Sequence, residues 1–201
     1  MPTNIDNIKA IYKLATAAER VDGTNWYPIA LDIAETLADE YDLPGGRLAS
    51  IGVIAALSPR NKWSRNVQDA ENLIAAYKAS GAEQARLTKV CTFGANKEKA
   101  IKVLELQFAS ETEILKILSG PKLKEFYSCI YGLDDVCIDG HAYCIWTGGR
   151  TSLSDVPAIG VKLRRQIKAD YRQAAQDLGL TAAALQAITW VAWRRIHGVT
   201  K

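Results

Sequence analysis

Two residues that open neighbouring predicted helices, Lys122 and Asp139, have the side chains best suited to covalent chemistry. Lys122 follows a Gly-Pro turn, and Asp139 begins an Asp-Gly-His sequence. If the chain folds back between them, both can face one cleft. A primary amine can attack a sugar carbon, and a carboxylate can stabilise the positive charge that develops there. The alternative is a surface lysine and an aspartate that only caps its helix.

The elements that must position these residues are helices, because apolar residues recur at helical spacing and alternating strand patterns are nearly absent. We expect the first helix to stop near Asp22-Gly23 and the second to begin near Pro28. Residues 47–57 are apolar almost all round, which predicts the most buried helix. Further helices are expected near 63–77, 96–107, 111–118 (opened by a Ser110–Glu113 capping box), 122–131, 139–147, 158–177 and 181–197. The prediction is an all-α fold with about nine or ten helices.

The composition is that of a soluble globular protein, with 48% hydrophobic and 23% charged residues. The N-terminus lacks the pattern of a signal peptide, and the longest apolar run, 51–57, is too short to cross a bilayer. We therefore expect a cytoplasmic monomer with no membrane partner. The four cysteines have spacings that match neither zinc nor iron–sulfur ligation, so we expect buried reduced thiols and no metal or cofactor: Cys91, Cys129, Cys137 and Cys144.

Positive charge is concentrated in the last quarter of the chain. Residues 148–201 contain nine Lys and Arg against three Asp, a balance of +6, whereas the whole chain carries +3. Such a region is typical of a surface that binds a polyanion such as nucleic acid, although a solvated helix face would look the same. Arg194 and Arg195 are the candidates for phosphate contacts, while Trp190 and Trp193 read as core residues.

Several motifs resemble, in order and spacing, those of the helix-hairpin-helix (HhH-GPD) DNA glycosylases, which include endonuclease III and the 8-oxoguanine glycosylases. A buried helix ends in Leu-Ser before a polar loop, an aromatic-Gly turn precedes a Lys-Ala helix, and a Gly-Pro-Lys hairpin precedes an apolar-Asp-Gly-His sequence. These segments are 53–63, 93–100, 118–123 and 137–142. The resemblance covers roughly residues 48–147, about half of the chain.

The resemblance implies an enzyme that flips a modified or damaged base out of double-stranded DNA and acts at its N-glycosidic bond. Lys122 takes the position of the nucleophile that forms a Schiff base in the lyase-competent members. Asp139 takes the position of the carboxylate that stabilises the oxocarbenium-like sugar. The implied fold is one two-lobed helical domain, with residues 46–138 in one lobe and residues 1–45 plus 139–201 in the other.

The resemblance also implies DNA contacts outside the catalytic pair. Arg60 lies in the loop from which the family inserts a residue into the duplex, and Asn61 and Lys62 belong to the same loop. Gly120 occupies the hairpin turn, and His141 is expected to pack or to contact the DNA backbone. The two-lobed arrangement would place Arg60 in one cleft with the catalytic pair.

The sequence departs from the family pattern in ways that leave other functions open. The hairpin has one glycine where two are typical, and the C-terminal iron–sulfur cysteines of endonuclease III are missing. Compact proteins of this kind are associated with phage pathways that build or remove hypermodified pyrimidines, which would place this chain in the host cytoplasm. The alternatives are a transferase or pyrophosphorylase acting on a modified thymine, and a non-catalytic helical DNA-binding module.

Overall fold

The computed structural model describes residues 2–152 and 154–199, and these form ten α-helices and no strand. The prediction of an all-α fold is confirmed. None of the described helices is long and apolar enough to cross a membrane. The helices are α1 (Asn4–Leu14), α2 (Ala17–Glu40), α3 (Gly46–Leu57), α4 (Trp63–Leu87), α5 (Gly94–Leu104), α6 (Glu111–Leu118), α7 (Pro121–Tyr131), α8 (Gly140–Thr147), α9 (Val161–Leu178) and α10 (Ala182–Ile196).

The chain divides into two compact units, and the first combines its two ends. This unit takes in the described residues of Met1–Ile29 and Gly132–Thr200. Helix α1 packs against α8, α9 and α10, and α10 also contacts α8 and α9. Fully buried side chains such as Ile8, Ile145 and Tyr171 fill the core between these helices. The part of the chain that contains Asp139 is therefore enclosed by segments distant in sequence.

The second unit, Ala30–Tyr131, is built around α3. Helix α3 packs against α4, α5, α6 and α7, and every residue of its 49–57 stretch is buried, which confirms the prediction for this helix. A Cβ on Gly52 would lie 2.9 Å from Val103 Cγ1 and 3.0 Å from Ile114 Cγ2, so a glycine is needed for this close packing. The boundaries between the two units lie at residues 29/30 and 131/132, whereas the sequence predicts lobe boundaries at 45/46 and 138/139.

The predicted boundary between the first two helices is wrong, because α2 runs without interruption through Gly23 and Pro28. A Cβ on Gly23 would lie 2.4 Å from Ile188 Cα, so this glycine permits close helix packing and does not mark a turn. The chain breaks instead at Ala15, whose backbone is extended. Helix α2 then begins with a reciprocal cap, in which the Thr16 amide donates to Glu19 Oε2 (2.9 Å) and the Glu19 amide to Thr16 Oγ1 (3.2 Å).

The later helices lie close to their predicted positions, and the capping box at the start of α6 is confirmed by reciprocal 3.3 Å bonds between Ser110 and Glu113. Helix α4 is longer than predicted, with non-helical backbone at Ser80 and Gly81. Three of the four cysteines, Cys129, Cys137 and Cys144, are buried, as expected. The prediction is wrong for Cys91, which is exposed because it lies in the connection between α4 and α5.

Candidate functional site around Asp139

Asp139 lies at the end of an irregular segment, 132–139, and caps α8. Its backbone is extended (φ −115°, ψ −173°), and its Oδ1 accepts a hydrogen bond from the Ala142 amide at 2.9 Å. The cap expected from the sequence is therefore present. It uses Oδ1 and leaves Oδ2 outside the cap, on a side chain that is half-buried. A negative charge at a helix N-terminus interacts favourably with the helix dipole.

The segment that carries Asp139 is anchored by α9 and α10. Arg164 Nη1 donates to the Ile138 carbonyl at 3.1 Å, directly before Asp139. Lys168 Nζ donates to both carboxylate oxygens of Asp135, at 2.7 and 2.8 Å. Asp134 Oδ1 accepts from the Ala183 amide of α10 at 3.2 Å. These contacts fix the position of Asp139 by tertiary structure, as a preorganised charge requires.

A partly buried cation, Arg194 of α10, lies within the electrostatic influence of Asp139. Burial lowers the pKa of the Arg194 guanidinium, and the negative charge of Asp139 acts in the opposite direction. The guanidinium lies 4.4 Å from the centroid of the Trp190 ring, a cation–π distance. Trp190 in turn meets Trp26 edge to face at 6.1 Å. The surroundings of Asp139 therefore combine a cation with half-buried aromatic rings.

The hydroxyl group of Tyr171 is the second unusual feature near Asp139. Tyr171 is fully buried, and its Oη has no hydrogen-bond partner among the described residues. Burial raises the pKa of this phenol far above its usual range, the nearby Thr189 hydroxyl lowers it, and the charge of Asp139 raises it further. Thr189 donates its own proton to the carbonyls of Leu185 and Gln186, and its approach to Tyr171 falls short of a regular hydrogen bond.

The neighbouring Arg195 has a different environment from Arg194. Its Nε donates to Glu19 Oε1 at 2.6 Å, and its Nη2 donates to Glu19 Oε2 at 3.1 Å and to the Leu14 carbonyl at 2.9 Å. These bonds tie the end of α10 to the junction of α1 and α2. The predicted phosphate contact of Arg195 stays untested, but its guanidinium already has structural partners.

His141 is the second residue of α8 and is half-buried. The pKa of His197 is lowered chiefly by burial, and then by Arg150 and His141. The His197 ring lies 4.0 Å from that of Trp193, which is buried as the sequence predicted. Trp190, also predicted as core, is only half-buried.

The predicted DNA-contacting loop is held by a carboxylate that the sequence analysis missed. Asp69 is fully buried and accepts from Asn61 Nδ2 (3.0 Å), Arg65 Nε (2.7 Å) and the Cys91 amide (2.6 Å). Asn61 is thus a structural residue of the loop, which its sequence position did not reveal. The available signal was an aspartate four residues after an arginine on the apolar side of α4.

Arg60 projects from this loop in a left-handed conformation (φ +57°) and is exposed. Its guanidinium lies 5.3 Å from the ring centroid of Phe93, which is 53% exposed and stands before α5. Lys62, also exposed, is the N-cap residue of α4. The structure therefore brings the Arg60 loop and the aromatic turn at residue 93 together, as parts of one surface of the second unit.

The hairpin between α6 and α7 also belongs to the second unit. Ser119 has φ +52°, and the Gly120 amide donates to the Leu118 carbonyl at 2.6 Å. Pro121 has no amide hydrogen, so the turn offers a phosphate neither of these two backbone donors. Lys122 follows as the second residue of α7 and is half-buried. Its proximity to Asp139 stays a prediction.

Among the described residues, no group of three or more His, Cys, Asp or Glu side chains is arranged to hold a metal ion. No curated protein and no solved structure matches the chain. A family model described as a family of unknown function (DUF7178) matches residues 2–197, almost the whole sequence. The chain belongs to that family.

Proposed function

We propose that this protein is a DNA glycosylase-like enzyme that acts on a modified or damaged base extruded from double-stranded DNA. The observation that carries the proposal is Asp139, a carboxylate fixed by tertiary contacts whose second oxygen is not used by its helix cap. In the reaction, the bond between sugar C1′ and the base nitrogen breaks, and its electron pair leaves with the base. The negative charge of Asp139 stabilises the sugar cation until a nucleophile adds to C1′.

Capping alone does not require an aspartate at this position. Serine, threonine and asparagine cap helices about as well, and Thr3, Ser110 and Thr181 do so elsewhere in this chain. The competing structural role for the charge is as counter-ion to Arg194, since a partly buried cation is costly without an opposite charge. The two roles differ in what they predict, because loss of a counter-ion lowers stability and loss of a catalytic charge lowers the rate.

The Arg60 loop supports DNA as the partner. A non-glycine residue with positive φ costs about 1–3 kcal/mol and persists only where its surroundings enforce it. Here the buried Asp69 enforces the loop, and the result is an exposed arginine beside an exposed aromatic ring. This is the kind of projecting side chain that can enter a duplex when a base is flipped out.

Two forms of the chemistry follow from the nucleophile. If water adds to C1′, the protein is a hydrolytic glycosylase. If the Lys122 amine adds, a Schiff base forms and the enzyme is also a lyase. A base-modifying transferase would use the same site without releasing the base.

The test is single-turnover base release from a panel of duplexes that contain modified bases. We expect Asp139→Asn to keep DNA affinity but to react about 10²–10³-fold more slowly, because the stabilising charge is lost. Asparagine caps helices as well as aspartate, so α8 should stay intact. The matched control is Asp22→Asn, which makes the same change at an exposed carboxylate of the same unit; it should react at the wild-type rate.

If Asp139→Asn reacts as fast as the wild-type protein, the glycosylase-type mechanism is wrong. If the variant reacts slowly but also melts at a lower temperature and binds DNA more weakly, Asp139 instead serves as the counter-ion of Arg194.

A further inference from the structure

Helix α9 presents a row of basic side chains that the site around Asp139 does not use. Lys162, Arg165 and Arg172 are exposed, whereas Ile167 and Tyr171 on the opposite side of the helix are buried. Positions three and seven residues apart lie on one face of a helix. With a rise of about 1.5 Å per residue, the row extends for about 15 Å along α9.

Lys162 and Arg165 do not stabilise the helix. Its first turn contains no acidic residue, and cations near a helix N-terminus interact unfavourably with the helix dipole. The residues three and four positions from Lys162 and Arg165 on α9 include no Asp or Glu, so no pairing within the helix compensates them. Lys162 and Arg165 therefore have no stabilising role within α9.

Three other basic residues of this region have structural partners. Arg164 donates to the Ile138 carbonyl, Lys168 binds Asp135, and Arg195 binds Glu19. Asp135 pairs with Lys168 and also with Arg172, which is half-exposed. The basic residues of α9 thus include an anchored residue, Lys168, and two outward-facing ones, Lys162 and Arg165, while Arg172 is exposed but also paired with Asp135.

We propose that the exposed face of α9, through Lys162 and Arg165 with Arg172 at its far end, contacts the phosphate backbone of double-stranded DNA. The proposal rests on the proposed function and specifies where its substrate is held. Each strand of B-DNA presents one phosphate per about 3.4 Å of helix axis, so a 15 Å row can reach several phosphates. Contacts of this kind provide affinity without selecting a sequence.

The experiment measures DNA affinity against salt for the double variant Lys162→Ala/Arg165→Ala. The loss of two phosphate contacts should make the negative slope of log K against log[salt] shallower by about 1.8. Between 50 and 200 mM salt, the variant should therefore lose about tenfold less affinity than the wild-type protein. The reduction should be the same for unrelated DNA sequences. Both side chains are exposed, so the fold should be retained, as circular dichroism would check.

The matched control is Lys102→Ala/Lys116→Ala, which removes the same charge from a lysine-lined cleft of about 510 Å³ in the second unit. Its slope should stay at the wild-type value. A wild-type slope in the α9 variant, or equal reductions in both variants, would overturn the assignment of α9. If the wild-type protein shows no salt-dependent affinity for DNA, the proposed function fails as well. Wild-type binding with an unchanged α9 variant refutes the α9 contact alone.

Discussion

Two tyrosines of the same unit place their hydroxyl groups in contrasting environments. Tyr27 is buried and donates from Oη to Gln186 Oε1 at 2.7 Å, so the loss of its hydration is compensated. The Tyr171 hydroxyl is fully buried without a partner among the described residues. A buried polar group without a hydrogen bond costs about 1–3 kcal/mol, which must be offset elsewhere in the fold.

The two tyrosines should therefore respond oppositely to the same substitution. Tyr171→Phe removes an uncompensated group, so the melting temperature should stay constant or rise by a few degrees, at about 2–4 °C per kcal/mol. Tyr27→Phe should lower the melting temperature, because Gln186 loses its donor. Calorimetry on both variants provides the comparison. A marked fall for Tyr171→Phe would show that its hydroxyl has a stabilising partner in solution.

The role of Lys122 as the nucleophile can be tested by a substitution that keeps its positive charge. If its amine forms the Schiff base, Lys122→Arg should abolish borohydride trapping of a protein–DNA adduct, because only a primary amine forms a reducible imine with the sugar. Arginine keeps the positive charge, so DNA affinity should change little. Lys124→Ala, a change two positions along α7, should still trap. Trapping by Lys122→Arg at the wild-type level would exclude Lys122 as the nucleophile.

At the scale of the helix, two adjacent arginines at the end of α10 have different environments. Successive residues of a helix point about 100° apart, so Arg194 stacks on Trp190 of its own helix while Arg195 reaches Glu19 at the start of α2. A sequence pattern of two arginines cannot distinguish these environments. The ion pair with Glu19 fastens α10 to the first part of the chain.

The stability that the Arg195–Glu19 ion pair contributes should depend on pH. Its pKa is lowered from 4.5, mainly by the hydrogen bond from Arg195. Because the folded state favours the charged form, this contribution is present above about pH 4.5 and disappears as the pH falls through the lower folded-state value. Glu19→Gln should cost about 1–2 kcal/mol at pH 7, since Arg195 is half-exposed and the bond is partly screened.

Melting temperatures measured from pH 7 to pH 3 check this prediction. The difference between Glu19→Gln and the wild-type protein should shrink as the pH falls below 4.5. Glu35→Gln is the control, because its partner Arg47 and Glu35 itself are both well exposed and such pairs contribute little. A difference that is constant with pH, or equal losses in the two variants, would contradict the assigned role of Glu19.

At the scale of the whole chain, the residues around Asp139 come from distant segments. Tyr171 and Arg194 follow it on α9 and α10, and Trp26 precedes it on α2. Contacts over such sequence separations form only after the intervening loop has lost much of its conformational entropy. The surroundings of Asp139 are therefore a product of the folded first unit and not of any one motif.

The sequence by itself determined the local features. The apolar character of residues 47–57 predicted the buried α3, Ser110 and Glu113 predicted the capping box, and Asp139 was expected to cap α8. Each of these depends on residues within a few positions of one another, so periodicity and hydrogen-bonding chemistry are sufficient. The fold class follows from the same kind of information.

Only the tertiary structure decided the roles that depend on distant partners. Gly23 looks like a turn residue until Ile188 is seen against it, and the ion pair of Arg195 with Glu19 cannot be read from the two adjacent arginines of the sequence. The burial of Asp69 and of the Tyr171 hydroxyl is likewise absent from any local pattern. The physical reason is that steric contact, desolvation and charge pairing depend on distance in space, which spacing along the chain does not specify once the helices pack.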